Sequence, residues 1–116
     1  MLPKENRLNK YSAFKATYHL KHTVADALFV LYAGKEKTEN EKTKIGFVVS
    51  KKIHKRAVKR NKIKRLAREA SRLMLKNKDP KWTSLIFQAR AKALDSNFHE
   101  VYNSIEQLIE KAEKKF

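Results

Sequence analysis

The chain of 116 residues contains no cysteine and no long apolar stretch, and each absence excludes a class of protein. Without cysteine the chain cannot form disulfides or bind a metal through thiolates, which is neutral to favourable for a reducing cytosol. No window approaches the run of about 18 apolar residues that a membrane-spanning helix needs. The first residues, MLPKENRLNK, are not followed by the apolar segment of a signal peptide. We therefore expect a cytoplasmic protein without a membrane span.

Acidic residues are also scarce. The chain has 28 Lys and Arg against 12 Asp and Glu, a net charge of +16. Such an excess of one sign destabilises a free protein by self-repulsion, and a polyanionic partner relieves that repulsion. Nucleic acid is the first candidate partner and an anionic membrane surface is the second. The hydrophobic content of 41% is that of a globular protein, and the length predicts one domain spanning residues 1–116.

Catalytic motifs are missing as well. The sequence has no GxSxG, P-loop or HExxH motif, and its acids are scattered among lysines rather than clustered to hold paired Mg²⁺. His19 and His22 are three residues apart, but no third metal ligand is evident nearby. We therefore expect neither a protein-only active site nor a metal site in the chain.

The pattern of apolar residues predicts alternating helices and strands. The predicted elements are a helix at 10–20, a strand within 23–33 with room for an extra short strand near Thr23, a strand at 44–50, a helix from 57 that ends at Pro80, a strand at 83–90 and a helix after Asn97. Asn9 is expected to cap the first helix, and Asn97 with Glu100 has the spacing of a capping box.

The connections predict how the strands pair. Residues 34–43 are polar and charged, so we expect a solvated hairpin loop that makes the strands on either side antiparallel. The third strand follows a helix, which favours parallel pairing with the second. Together the elements indicate a small α/β sandwich with helices over a mixed sheet.

The segment from Lys51 to Arg72 is the most informative part of the chain. Half of its residues are Lys or Arg, and Glu69 is its single acid. From Ala57 onward, helical spacing collects one apolar stripe, formed by Ile63, Leu66, Ala67, Ala70, Leu73 and Met74. Another arc of the same helix carries Arg60, Asn61, Lys64, Arg65, Arg68 and Arg72. Arg binds phosphate in a bidentate way, and Asn can read a 2′-hydroxyl or a base edge. This arc predicts a nucleic-acid surface, and a merely solvated run of charge is the alternative.

Three aromatic residues share one face of the first predicted helix, namely Tyr11, Phe14 and Tyr18. Such a stripe either packs on the core or, beside cations, offers unpaired bases a stacking platform. The residues alone favour core packing. Tyr32, in the first strand, needs a polar partner or an open cleft for its hydroxyl.

The basic helix also resembles a known family. AVKRNKIKRLARE, from Ala57 to Glu69, resembles the signature helix of the protein subunit of bacterial ribonuclease P. LPKENRL from Leu2, LFVLY from Leu28 and GFVVSKK from Gly46 fit the same family. The resemblance implies an α-β-β-β-α-β-α fold, an α+β two-layer sandwich similar to the second domain of ribosomal protein S5. It also implies a left-handed βαβ crossover through the basic helix, although the general rule favours the right-handed form.

The resemblance implies a function in tRNA processing. The family protein binds a catalytic RNA, and the complex is an endoribonuclease that removes the 5′ leader of precursor tRNA. The RNA carries out the chemistry with Mg²⁺, which is held mainly by the RNA and the substrate. No obligate protein partner is implied.

The resemblance also implies two groups of site residues. The set that contacts the catalytic RNA is Lys51, Lys52, Arg56, Arg60, Asn61, Lys62, Lys64, Arg65, Arg68 and Arg72. The cleft for the single-stranded leader is lined by Phe14, Tyr18 and Tyr32, which reverses the core assignment that the residues alone favour.

The sequence differs from the family pattern at one place, and two other functions are consistent with its basic helix. His54, Lys55 and Arg56 fill a place where many family members have a shorter Gly-Asn connection. A structural RNA-binding protein of S5-like fold, either ribosomal or an RNA chaperone, would share the basic helix without a nuclease role. A protein that presents a basic helix to DNA is the third hypothesis.

Overall fold

A computed structural model describes residues 2–116 as a four-stranded sheet with three α-helices. The regular elements are α1 (Tyr11–His19), β1 (His22–Ala25), β2 (Phe29–Ala33), β3 (Lys44–Val48), α2 (Ala57–Asn77), β4 (Ser84–Ala89) and α3 (Phe98–Lys115), with short 3₁₀ helices at Lys4–Asn6 and Ala91–Asp95. This is the predicted α-β-β-β-α-β-α order. The handedness of the crossover through α2 and the likeness to ribosomal protein S5 stay predictions.

The strands lie in the order β1-β2-β4-β3. β4 pairs in parallel with β3, as predicted, and antiparallel with β2. β2 and β3 run antiparallel, as predicted, but they do not form the expected hairpin, because β4 lies between these two strands and bonds to both. The run Leu85, Ile86 and Phe87 is completely buried, as expected for a central strand covered on both faces. The 34–43 segment instead crosses the start of β4, where Lys37 N–H donates to the Lys81 carbonyl at 2.9 Å.

The predicted first strand is two strands joined by a tight turn at Asp26, so the extra strand near Thr23 is confirmed. The Asp26 carboxylate accepts hydrogen bonds from the N–H groups of Leu28 and Phe29, both at 2.9 Å. A side chain that bonds the backbone two and three residues on is typical of Asp in turns. The turn reverses the chain, so that β1 and β2 pair antiparallel.

Helices α2 and α3 cover one face of the sheet and enclose the core. Leu31 and Phe87 point from the sheet into this core, and Met74 and Ile105 meet them from the two helices. All four side chains are almost fully buried. The apolar stripe of α2 is therefore committed to the core, which turns the cationic arc of the helix towards solvent.

One predicted helix cap is confirmed and the other is wrong. The Asn97 side chain accepts from Glu100 N–H at 2.9 Å, and the Glu100 carboxylate accepts from Asn97 N–H at 3.1 Å, which completes the capping box of α3. α1, in contrast, begins one residue later than Asn9 would allow. Lys10 occupies its N-cap position and makes no side-chain capping bond.

Helix α1 lies alone on the opposite face of the sheet. Tyr32, Ile86 and Gly46 form one row across β2, β4 and β3 on this face, because neighbouring residues of a strand alternate between faces. The Phe14 ring of α1 lies directly over Gly46. A Cβ atom placed on Gly46 would be 2.5 Å from Phe14 Cζ, so only glycine lets the ring approach this closely.

A hydrogen bond fixes α1 at a second point of the sheet. The hydroxyls of Thr17 and Ser84 are 2.6 Å apart and buried, and Thr17 also donates to the Ala13 carbonyl at 2.8 Å. A Cβ atom on Gly34 would be 2.2 Å from the Ser84 Oγ. The chain has two glycines, and both make room for contacts that position α1.

We expect the substitution Gly46→Ala to destabilise the protein by about 1–3 kcal/mol, because the new methyl group overlaps the Phe14 ring. Urea unfolding of the single and double variants measures this. In a Phe14→Ala background the same substitution should cost much less, since the ring is gone. Equal costs in both backgrounds would show that α1 does not depend on this contact.

Candidate RNA-binding interface

The structure places the predicted RNA-contacting residues on one basic surface, formed by the 51–56 loop and the solvent side of α2. This surface lies opposite the stripe that contains Ile63, Ala67 and Ala70. Three members are half-buried, namely Arg60, Lys64 and Arg72. The others are exposed: Lys51, Lys52, Arg56, Asn61, Lys62, Arg65 and Arg68.

Few acids neutralise the basic surface. Arg72 forms an ion pair with Glu69, with Nη2 and Oε2 at 3.1 Å. Within residues 2–116, no other cation of the predicted set forms an ion pair. The charges are therefore available to an external anion, and their mutual repulsion favours binding one.

The loop before α2 is held in a compact turn. Lys52 N–H donates to the Ser50 hydroxyl at 3.1 Å, and Arg56 N–H donates to His54 Nδ1 at 3.0 Å. The Arg60 guanidinium reaches back to the His54 carbonyl at 3.4 Å. No side chain caps the helix and no acid lies in its first turn, so no carboxylate there offsets the positive end of the helix dipole. Helix N-termini of this kind favour phosphate groups.

The three predicted leader-binding aromatics lie together on the α1 face of the sheet, outside the core. The Tyr18 and Tyr32 rings meet edge to face, with their centroids 4.7 Å apart. Phe14 lies beside them over Gly46, and all three side chains are half-buried. The residues alone favoured packing of Tyr11, Phe14 and Tyr18 on the core. For Tyr11 that prediction is wrong, because its side chain is 81% exposed.

The surface that the Phe14, Tyr18 and Tyr32 rings form, here called the aromatic cleft, affects the Tyr18 hydroxyl. Burial raises the pKa of Tyr18 above its usual value, and the neighbouring Tyr32 raises it further. A tyrosine hydroxyl is protonated at neutral pH even without this shift, so it can donate a hydrogen bond to a ligand that approaches the rings.

The residues 2–116 contain no group of three or more His, Cys, Asp or Glu side chains arranged to hold a metal ion. His19 and His22, which are three residues apart in sequence, lie in different surroundings. His19 is exposed on α1, whereas the His22 ring stacks on Phe116 with centroids 4.7 Å apart. In the same part of the chain, no helix is long and apolar enough to cross a membrane.

The structure also shows a cleft that the sequence did not predict, on the other flank of α1. Its walls come from the chain before α1, from α1, from the 34–44 segment and from the start of β4. No local pattern marks such a cleft, because its lining residues are far apart in sequence.

Comparison with known proteins agrees with the resemblance. A family model described as Ribonuclease P matches residues 2–113. The "Ribonuclease P protein component" of Clostridium novyi (strain NT) is 32% identical over 111 residues, with 96% of each chain covered. The protein of the same name from Caldanaerobacter subterraneus subsp. tengcongensis is 36% identical over 111 residues, which cover 96% of this chain and 92% of the relative.

Solved structures show the same relationship. The RNase P protein of Staphylococcus aureus has a TM-score of 0.76 at 33% identity, covering 92% of this chain and 94% of that one. The RNase P protein from Thermotoga maritima has a TM-score of 0.76 at 25% identity, covering 90% and 96%. The family model matches nearly the whole chain, and the similar sequences and the similar solved structures belong to the same family. The chain therefore belongs to the bacterial ribonuclease P protein family.

Proposed function

We propose that this chain is the protein subunit of a ribonuclease P, and that it binds the catalytic RNA and the 5′ leader of precursor tRNA through two separate surfaces. Family membership implies tRNA 5′ processing together with an RNA subunit. The proposal of two separate binding surfaces rests on one observation, namely that the basic residues and the aromatic rings lie on different faces of the protein. A basic arc in which, among the described residues, only Arg72 forms an ion pair lies on α2, and a cluster of aromatic rings lies on the sheet face that α2 does not cover.

The basic surface is assigned to the RNA subunit. Its arginines can bind phosphates in a bidentate way, and the uncapped start of α2 adds backbone donors at the positive end of the helix dipole. Asn61 lies exposed between Arg60 and Lys62, where it can contact a 2′-hydroxyl or a base edge. Because α2 is anchored in the core, these groups are presented on a rigid element.

The aromatic cleft is assigned to the leader. Every base has a face that can stack on a ring, so a cleft of Phe14, Tyr18 and Tyr32 binds a single strand with little regard to its sequence. Mature tRNA lacks the leader and cannot use the cleft. The cleft therefore distinguishes substrate from product.

In this proposal the chain binds the two RNAs and lowers the electrostatic repulsion between them, and it supplies no catalytic group. We assign the hydrolysis to the RNA subunit with Mg²⁺, held mainly by the RNA and the substrate phosphates. With a net charge of +16, the protein lowers the repulsion between these two polyanions. The proposal includes one domain over residues 1–116, a cytoplasmic location and no obligate protein partner.

Reconstitution tests the function directly. Adding the protein to a bacterial ribonuclease P RNA at low Mg²⁺ should produce cleavage at the 5′ leader junction, because the protein replaces part of the charge screening that Mg²⁺ supplies. Gel analysis of labelled precursor tRNA measures the product. Binding to the RNA without any gain in cleavage would favour the rival, a structural RNA-binding protein.

We expect Arg65→Ala to weaken binding to the RNA subunit and to lower the slope of log affinity against log salt by about one, since one phosphate contact is lost. Filter binding over a range of salt concentrations measures both quantities. Lys114→Ala is the matched control, because it removes an exposed cation from α3, away from the basic surface. Equal effects of the two variants would contradict the assignment of α2.

We expect Tyr18→Ala to weaken binding of precursor tRNA by about 1–3 kcal/mol, the usual loss for one stacked base, and to leave mature tRNA unaffected. Titration of the assembled complex with both tRNAs measures the difference. Tyr18→Phe keeps the ring and should retain most of the affinity. A loss of equal size on both tRNAs would rule out the leader cleft.

A further inference from the structure

The cleft on the other flank of α1, here called the α1–loop groove, has a volume of about 710 Å³. Ala13 and Ala16 of α1 and Leu20, which directly follows α1, contribute to its wall, whereas Phe14 and Tyr18 do not line it. At 100° per residue, these two groups point to different sides of the helix. The α1–loop groove and the aromatic cleft are thus separate surfaces that share one helix.

The inner wall of the α1–loop groove is mainly apolar. Leu8, Ala13, Ala16 and Leu20 supply apolar surface, Thr17 and Ser84 lie buried at its base, and Leu20 remains 40% exposed at its edge. A volume of this size is typical of sites for small molecules or single nucleotides, and it is too small for a duplex. An apolar wall of this kind suits the face of a base.

The rim of the α1–loop groove is cationic. Lys15, Lys35, Lys42 and Lys44 line it, together with His19. Lys15 and Lys44 form no ion pair within residues 2–116, and Lys42 pairs with the exposed Glu5 at 2.8 Å.

The single acid among the lining residues is Glu41. Its carboxylate accepts hydrogen bonds from the Thr38 N–H and hydroxyl at 3.0 and 2.9 Å, so it belongs to its own turn. The rim is therefore strongly positive, which favours an anionic occupant over a neutral one.

We propose that the α1–loop groove binds an unpaired nucleotide of the RNA subunit, with the base against Ala16 and Leu20 and its phosphates at Lys15 and Lys44. This inference rests on the proposed role of the chain in ribonuclease P. The leader is assigned to the opposite flank of α1, so a strand in this groove is a different one. Helix α1 then lies between substrate on one side and the RNA subunit on the other.

Site-specific crosslinking tests the proposal. Because the chain has no cysteine, Ala16→Cys offers one thiol for an aryl azide group in the assembled complex. We expect this probe to capture an unpaired nucleotide of the RNA subunit. Gln107→Cys, exposed on α3, measures the background, and Tyr11→Cys probes the other flank of α1. Capture at Ala16→Cys that is no greater than at Gln107→Cys, or capture of tRNA alone, overturns the assignment.

The outcomes separate this inference from the proposed function. If Tyr11→Cys fails to capture the leader while Ala16→Cys captures the RNA subunit, the leader cleft is wrong and the α1–loop groove stands. If Ala16→Cys crosslinks only to protein, the groove is a protein contact and the inference is wrong.

Affinity measurements give an independent test. Ala16→Trp fills the α1–loop groove and should weaken binding of the RNA subunit roughly tenfold, comparable to the loss of one stacked base. The double variant Lys15→Ala/Lys44→Ala changes only exposed side chains and should lower the salt slope by about two. Discrimination between precursor and mature tRNA should not change. Unaltered affinity and salt slope in the double variant, with a native unfolding transition, would overturn the inference.

Discussion

The close contact between Phe14 and Gly46 is the constraint on which the α1 face of the molecule depends. It seats α1 directly on the sheet, and the buried hydrogen bond between Thr17 and Ser84 fixes a second point along the helix. A helix held further from the sheet would change both the aromatic cleft on one flank and the α1–loop groove on the other. Both features therefore follow from two small residues that have no functional group, Gly34 and Gly46.

The basic surface depends on a different balance. Cations repel one another across a face with almost no acids, and this repulsion opposes folding. The same helix buries a stripe that is apolar except for Ser71 against the core, and that burial offsets the repulsion. The core thus holds the charges at fixed spacing. A polyanion that supplies phosphates at that spacing would stabilise the folded chain, because it would bind that state more tightly than the unfolded one.

The sequence predicted the features that local patterns encode. Residue spacing predicts the apolar stripe of α2 and the Asn97 capping box. The helix that connects β3 to β4 predicts their parallel pairing. The place of β4 between β2 and β3 could not be predicted this way, because strand order is decided by contacts between distant segments. The stripe of Tyr11, Phe14 and Tyr18 is equally consistent with a core and a cleft. The family resemblance, rather than the residues, put Phe14 and Tyr18 at a surface.

The central position of β4 has a consequence for the order in which the chain acquires structure on the ribosome. β4 lies between β2 and β3 and pairs with both, so these two strands cannot join one sheet until residues 84–89 have been synthesised. The apolar stripe of α2 is complete before that point, and α3, which covers the core, follows last. A nascent chain thus carries its full basic helix before β4 can complete the sheet that holds it. The basic surface and the α1 face therefore become fixed only after β4 has been synthesised.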